Sequence, residues 1–599
     1  MPSPGLHPDR SLGWLRRLLP VVATYKAGFA ASVTAGLVSV AATAAVPVVI
    51  GRGVDAAAAT EALRPWVLAL VALAGARFVL GFAYRYGLFR TAHCIEADLR
   101  NLVYERLTEL SFSYWDRTQT GQVISRANSD IRSIQLLFAF GPLVAMQLAL
   151  LVMGTAAMVA LSLPLTVVAM APLPLVLYVG VRLRNKVFPL TWVTQARMAD
   201  VAMIVDENIQ GAQVVRTFAQ EQAQVDLLAR SARRLRWAGT ATADARSRHA
   251  PLMEALPRFG LALVLLTGGL LAIDGTIAVG DIVAFNAFVL LMAAPFRMIG
   301  FVLIQWQRAS AAAQRVFEIL DESPEISERP DAVPLPEPAG RVEFDDVAFS
   351  YSTSGGTSII DGLSLRIEPG ETVAVVGRTG SGKSTLGRLL PRFYDVDRGE
   401  VRIDGIDVRD LRISDLRRAV TVATDDPFLF ATSVRDNVAF ARPDADEASV
   451  AVALVDAAAG DFVTAMPGGA DTRLGERGST ISGGQRQRLA IARALVADPA
   501  VLVLDDATSA IDTEVEERIH SALRRRRSHR TTIVIAHRLS TIALADRVVF
   551  IAGGRVAASG SHRHLLQTVP AYAEVLTDIG ATDHAARASL PTSVDQDRG

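Results

Sequence analysis

Hydrophobic patterning changes character about halfway along this chain. Residues 27–51 carry no charge over 25 positions, and residues 133–181 carry none over 49. A helix rises 1.5 Å per residue, so about 20 apolar residues cross the hydrocarbon core of a bilayer. The first run predicts one span. The second is long enough for two, with Ser162-Leu163-Pro164 as the tight turn between them. Residues 65–84 are apolar except for Arg77; 255–273 and 282–304, the latter interrupted by Arg297, complete the set. Six spans are predicted: 27–51, 65–84, 137–161, 165–184, 255–273 and 282–304. Buried soluble helices are a poor account of the long uncharged runs and a less poor one of the two spans interrupted by Arg77 and Arg297.

The intervening segments set an orientation. Residues 85–132 and 182–250 are long and rich in Arg, whereas 52–64, 162–164 and 274–281 are short. The positive-inside rule places both long segments, both termini and everything after 305 in the cytoplasm. Apolar residues recur at three- and four-residue spacing through MADVAMIVDENIQGAQVVRTFAQEQAQVDLLARSARRL, so helices are expected to continue beyond the bilayer. Each pair should reverse, near Ser111–Thr120 and near Gln210–Phe218, and such tips can touch another cytoplasmic domain. Arg77 and Arg297 are costly in lipid and are expected to face a protein-lined or wet cavity. They read either as substrate-path residues or as snorkelling or ion-paired side chains. Prolines 47, 142, 172, 174, 257 and 295 are positions where spans can kink.

The remaining organisation is simpler. Residues 1–20 read as a cytoplasmic lead-in helix rather than a cleaved signal peptide. Residues 21–320 form the transmembrane domain, and the Pro- and acid-rich stretch 321–340 is a linker. Residues 341–578 form a soluble domain, and 579–599 a polar tail. Of 599 residues, half are hydrophobic, and mean hydropathy is +0.30. Formal net charge is zero, which gives no general argument for nucleic-acid binding. The run Arg524–Arg527 reads as a solvated helix end. Cys94 is the single cysteine, so no intrachain disulfide and no thiolate metal site are expected.

The soluble half carries the chemistry. The apolar strand VAVV runs into Gly377-Arg378-Thr379-Gly380-Ser381-Gly382-Lys383-Ser384-Thr385 and then a helical pattern. This is G-x-x-x-x-G-K-S in its required setting of strand before and helix after. The glycines let backbone N–H groups approach phosphate oxygens, and the helix N-terminus adds its dipole. Lys383 supplies a point charge for the β and γ phosphates, and Ser384 a ligand for Mg²⁺. The chain has only three lysines, Lys26, Lys186 and Lys383, so a lysine here stands out against its preference for Arg.

A second strand, Val501–Leu504, ends on Asp505, placed for Mg²⁺, with Asp506 next. Between the two strands, Ser482-Gly483-Gly484-Gln485 opens a helix whose free N–H groups suit an anion. The phosphate loop already serves one nucleotide, so this end suits a phosphate brought by a second subunit.

Together these motifs resemble a half-size ABC transporter of the exporter type over about residues 10–578. The fold class implied is a multidomain membrane protein, an all-α six-helix transmembrane domain plus an α/β phosphate-loop NTPase domain. YWDRTQTGQVISRANSD (114–130) and ENIQGAQVVRTFAQEQ (207–222) are similar to the family's two intracellular loops, and GTIAVGDIVAF (275–285) to its entry to span six. By the same resemblance Tyr351 stacks on adenine, His537 contacts the γ-phosphate, Gly475–Gly478 contacts intracellular loops, and Ser509–Asp512 crosses a dimer interface. Ser482–Gln485 matches the signature, with Ile481 for the usual Leu.

Two positions depart from the family pattern. Asp506 stands where a catalytic Glu is usual, and Asp425 where a Gln is usual, with Thr424 as the alternative register. A carboxylate drawn back by one methylene is displaced by about 1–1.5 Å, which can lower a rate on the order of 10²-fold. Asp425 can ligate Mg²⁺ but adds negative charge beside a triphosphate. The resemblance therefore implies a site that binds ATP and Mg²⁺ well and hydrolyses slowly, beside an intact signature. That combination favours a heterodimer with a second half-transporter over a homodimer. Expected partners are that subunit, the lipid bilayer and a small amphipathic molecule, drug or lipid, with no nucleic acid, in the cell membrane. The alternatives are an ATP-gated regulator that does not pump and a siderophore-type importer on the same fold.

Overall fold

The computed structural model describes residues 5–525, 530–536, 538–543 and 545–577, with backbone alone at 177, 249, 250, 253, 254, 257, 293–301, 303 and 354. It divides into two compact units. One comprises residues up to Thr108 with Gly121–Glu322; the other comprises Glu109–Thr120 with the chain from Ser323 on.

The first unit is helical. A short helix α1 (Trp14–Ala23) precedes α2 (Lys26–Ala58) and α3 (Arg64–Glu109). In the first reversal lies α4 (Phe112–Arg117), which packs with the second unit. Then come α5 (Thr120–Leu161) and α6 (Leu163–Gln210), the tip helix α7 (Ala212–Thr217), α8 (Glu221–Ile273) and α9 (Val279–Asp321). Helices α2, α3, α5 and α6 are long and apolar enough to cross a membrane, and Arg258–Ile273 and Val279–Met292 are shorter apolar stretches.

Local chemistry explains the breaks. Ser162 is extended and caps the start of α6, with its Oγ accepting from the Leu165 N–H at 3.5 Å, and Pro164 occupies the first turn, where a missing N–H is harmless. Pro172 interrupts α6 between Met170 and Leu173 and Pro174 sits in the first turn after the break, whereas Pro47 and Pro142 lie inside continuous helix. Pro257 and Pro295 lie within helical backbone, their side chains outside the described residues. In α5, Arg126–Asp130 is wound as a π turn. Buried Asp130 there accepts from Arg315 Nε at 2.8 Å and Nη2 at 2.5 Å, pinning α5 to α9. Near the chain start, Arg17 makes a two-pronged pair with Asp321 (2.7 and 2.6 Å) and lies 4.2 Å over the Phe317 ring.

The second unit is α/β. A six-stranded sheet runs β10-β9-β3-β8-β7-β6, built from β3 (Thr372–Gly377), β6 (Val420–Thr424), β7 (Val501–Asp505), β8 (Thr531–Ile535), β9 (Arg547–Ala552) and β10 (Arg555–Gly560). All its pairs are parallel except the β9–β10 hairpin. Its central strands read VAVV, VLVL and TTIVI because both faces are covered, one by the smaller sheet with the helix after β3 and the other by helices, so alternation disappears. A second sheet, β2-β1-β4-β5, contains β1 (Val342–Phe349), β2 (Ile360–Ile367), β4 (Arg398–Ile403) and β5 (Ile406–Asp407). One apolar core lies between the sheets, around Phe344, Ile367, Val375, Leu389 and Val503. A second packs under the helical part, around Leu429, Leu454, Leu489 and Leu502.

Candidate functional site

Strand β3 is buried at the middle of the large sheet and releases the chain at Gly377. A Cβ there would lie 2.4 Å from the carbonyl oxygen of Ile551 and 2.7 Å from Ser381 Oγ, so only glycine lets the loop turn beside β9. Gly380 and Gly382 take φ of +81° and +96°, the left-handed region. Arg378 and Thr379 are exposed on the crest of the loop, Arg378 pairing with Glu574 at 3.0 Å. The helix α10 (Lys383–Leu389) then begins.

Lys383 is 5% exposed, and its Nζ donates to the carbonyls of Gly377 (2.8 Å) and Arg378 (3.0 Å). The ammonium thus sits inside the loop at the mouth of the helix. Burial lowers its pKa, while the carboxylates of Asp505 and Asp506 act in the opposite direction. Ser384 Oγ donates to Asp505 Oδ1 at 2.9 Å, bringing the phosphate loop and the end of β7 together. Ser381 Oγ is buried without a hydrogen-bond partner among the described residues. An unmatched hydroxyl, a buried ammonium and paired hard-oxygen ligands fit a Mg²⁺–nucleotide phosphate chain.

Strand register arranges the carboxylates. Thr424 of β6 pairs with Asp505 of β7, so exposed Asp425 follows β6 where Asp506 follows β7. Asp506 has φ of +52°, a conformation Asp and Asn tolerate better than longer side chains. Tyr351 packs edge-on against Phe349 (4.9 Å) and Tyr394 (5.2 Å), and its hydroxyl donates to Thr385 Oγ1 at 3.3 Å. It is therefore held at the phosphate-loop helix.

The signature segment opens α11 (Gly483–Val496). Ser482 Oγ accepts from the Gln485 N–H (3.2 Å) and Gln485 Oε1 from the Ser482 N–H (2.9 Å), a reciprocal capping box. The N–H groups of Gly483 and Gly484 stay at the helix end. Gly484 has a further reason to be glycine: a Cβ would lie 2.6 Å from the carbonyl oxygen of Ala510. His537 lies outside the described residues, as does the side chain of Arg297. Arg77 lines a cavity of about 1260 Å³ between α2, α3 and α5, with Ser39, Thr43, Phe78, Phe82 and Gln147.

Two structurally central residues escape a motif reading. Gln487, 3% exposed, donates to the Asp425 carbonyl (2.8 Å) and Ser509 Oγ (2.7 Å) and accepts from the Ala510 N–H (2.8 Å). It joins the Asp425 turn, the signature helix and the 509–512 loop. Glu516 begins the helix-periodic set Glu516, Ile519, His520, Leu523 on α12 (Thr513–Arg525) and is 1% exposed. It accepts from Thr508 (2.9 Å), Thr541 (2.8 Å) and Ser540 (3.3 Å), and Arg538 lies 3.4 Å away. The signal for both was a polar residue on a largely apolar helical stripe.

A phosphate-loop nucleotide domain on the same polypeptide as long apolar helices defines a class of membrane ATP-binding protein. The family described as ABC transporter transmembrane region matches residues 29–296, and that described as ABC transporter matches residues 360–509. An ATP-dependent lipid A-core flippase of Syntrophus aciditrophicus is 36% identical over 79% of this chain and 78% of its own length. The chain belongs to the ABC transporters. A multidrug efflux ATP-binding/permease protein of Mycobacterium tuberculosis is 37% identical over 92% of this chain, which spans about half (46%) of that relative's length. Among solved structures, a bacterial Atm1-family ABC exporter with ATP bound superposes with a TM-score of 0.75 at 29% identity, covering 95% of this chain and all of the other.

Proposed function

We propose that this chain is one half of a dimeric exporter in the cell membrane that uses ATP to move amphipathic small molecules, drugs or lipids, and that its own ATP site hydrolyses slowly. The observation that carries the reading is Asp506 at the end of β7, beside the Ser384–Asp505 pair and the phosphate loop that holds Lys383. The family's usual Glu is absent there, while the signature end of α11 is capped and intact. The multidrug and lipid A names of the relatives support the substrate class.

In this reading Lys383 leaves the carbonyls of Gly377 and Arg378 for the phosphate oxygens, and Ser381 Oγ gains its missing partner. Ser384 and Asp505 would hold Mg²⁺, which would supply charge neutralisation to the phosphates. Tyr351 stacks on the base, and Ser482–Gln485 contributes its free helix end to the nucleotide of the partner subunit. Asp506 orients water from one methylene too far away. A heterodimeric partner with Glu at the equivalent position performs most of the turnover. Arg77 and Arg297 belong to the substrate path.

The test is ATPase activity of this chain purified alone in nanodiscs, wild type beside Asp506→Glu. Turnover near zero that Glu raises on the order of 10²-fold supports the impaired site. Ordinary wild-type turnover, unchanged by Glu, makes Asp506 an adequate base and the homodimer the better reading. Transport into vesicles together with substrate-stimulated turnover separates a pump from an ATP-gated regulator, and its direction separates export from import.

A further inference from the structure

Helix α4 (Phe112–Arg117), though it lies in chain order between α3 and α5, packs as part of the second unit. Three groups hold it. Phe112 packs on Phe393 with ring centroids 4.4 Å apart. Glu325 accepts from Ser113 Oγ (2.5 Å) and Arg117 Nη2 (3.2 Å), and the Ile326 N–H donates to Ser111 Oγ (2.9 Å). Lastly, the Tyr394 hydroxyl donates to Asp116 Oδ2 at 2.7 Å.

The last of these leads through Tyr394 on to Tyr351, and Phe112 also meets the Tyr394 ring, with centroids 6.3 Å apart. The Tyr394 ring is 8% exposed and stands perpendicular to Tyr351 at 5.2 Å. The hydroxyl of Tyr351 reaches Thr385 of the phosphate-loop helix at 3.3 Å, and Arg388, on the same helix, hydrogen-bonds Tyr351. A continuous packed path therefore runs Asp116–Tyr394–Tyr351–Thr385. Phe393, by contrast, turns toward Phe112 and Arg417, and Glu325 belongs to the linker.

We propose that Tyr394 is a positioning residue that links α4 energetically to the nucleotide-facing Tyr351 through its hydrogen bond to Asp116. The link rests on the reading that Tyr351 faces the base. A ring packed perpendicular to Tyr351 cannot follow it without moving its own hydroxyl, since dense packing transmits displacement. Asp116 is exposed, so a weakened bond there frees α4 to water rather than leaving a buried charge. Linkage is reciprocal: if ATP at Tyr351 stabilises α4 against opening, a tightly held α4 strengthens ATP binding by the same factor.

The experiment is hydrogen exchange on the full chain in nanodiscs with and without MgATP, comparing wild type, Tyr394→Phe, Asp116→Ala and the double variant. Tyr394→Phe keeps the ring and removes only the hydroxyl. In the wild type, ATP is expected to slow exchange in residues 109–120 by about tenfold and also to protect residues 377–385. Both single variants are expected to keep the protection at 377–385 and lose most of that at 109–120, with no further loss in the double variant. A residue that merely fills the core would leave the ATP-dependent difference at 109–120 intact in Tyr394→Phe, and that result overturns the link. Asp116→Ala cuts the same bond from the exposed side, so misfolding of Tyr394→Phe would not spare the proposal. Absence of ATP protection at 377–385 in the wild type would instead overturn the nucleotide reading, and the link with it.

Discussion

Ser384 Oγ donates to Asp505 Oδ1 across 2.9 Å, joining a residue that starts a helix to one that ends a strand 121 positions later. Both oxygens are of the kind a hard divalent cation uses, and in the proposed function the pair is the Mg²⁺ ligand set, held in place by its own hydrogen bond. Asp505→Asn keeps an acceptor for Ser384 and removes the charge. It is expected to abolish the Mg²⁺ dependence of nucleotide binding while leaving the fold intact, as read by titration of a fluorescent ATP analogue with and without Mg²⁺.

Lys383 is the cation inside the same loop. Lys383→Ala deletes charge-assisted hydrogen bonds, each of about 1.5–3 kcal/mol. ATP affinity at this site should fall on the order of 10²-fold in the same titration. Unchanged affinity would sink the assignment of the loop.

Gly484 and the carbonyl of Ala510 approach too closely for any side chain, with a Cβ at 2.6 Å. Gly484→Ala must move backbone in the 509–512 loop, because the clashing atom cannot swing away. Overpacking of this kind costs about 1–3 kcal/mol. The expected outcome is a lower first thermal transition together with loss of ATPase activity in the assembled dimer, and nucleotide affinity at Lys383 unchanged.

Glu516 is a buried carboxylate satisfied by three hydroxyl groups and Arg538. Glu516→Ala strands those donors in a dry site, which costs about 3–5 kcal/mol, whereas Glu516→Gln keeps the acceptor for Thr508 and Thr541 and fills the site. Denaturant unfolding of the full chain should show the Ala variant far less stable than the Gln variant. Equal stabilities would mean the network is dispensable.

The Arg17–Asp321 pair predicts a pH dependence. Hydrogen bonding from Arg17 holds the Asp321 carboxyl below its ordinary range, against an opposing effect of burial. A folded-state pKa below the unfolded one contributes stability that is full above the ordinary carboxylate range and lost as pH falls through the folded value. Exchange protection of Trp14–Ala23 should therefore persist at neutral pH and decline only in strong acid. Asp321→Asn should lack the pair at every pH and show no such acid step.

Much of this was legible in the residues, for physical reasons. Lipid admits only backbone that is hydrogen-bonded within its own segment, so uncharged runs of sufficient length read directly as helices. The phosphate loop is equally local: Gly377, Gly380, Gly382, Lys383 and Ser384 lie within eight consecutive positions and need only a strand before and a helix after. The helical tips at 112–117 and 212–217 fall where the charged loops were expected to reverse.

What sequence by itself determined, then, was whatever depends on near neighbours along the chain: the apolar runs, the turn at Ser162–Pro164, the helix opening at Ser482–Gln485, the loop at Gly377–Thr385 and the short carboxylate at 506. Tertiary structure alone decided the meetings between distant segments. Ser384 finds Asp505, Gln487 gathers 425, 509 and 510, Glu516 collects residues 508, 538, 540 and 541, and Tyr394 reaches Asp116 across 278 positions. A hydrogen bond between remote residues leaves no periodicity in either segment. It exists because strand order and dense packing place two side chains together, and that placement belongs to the whole fold.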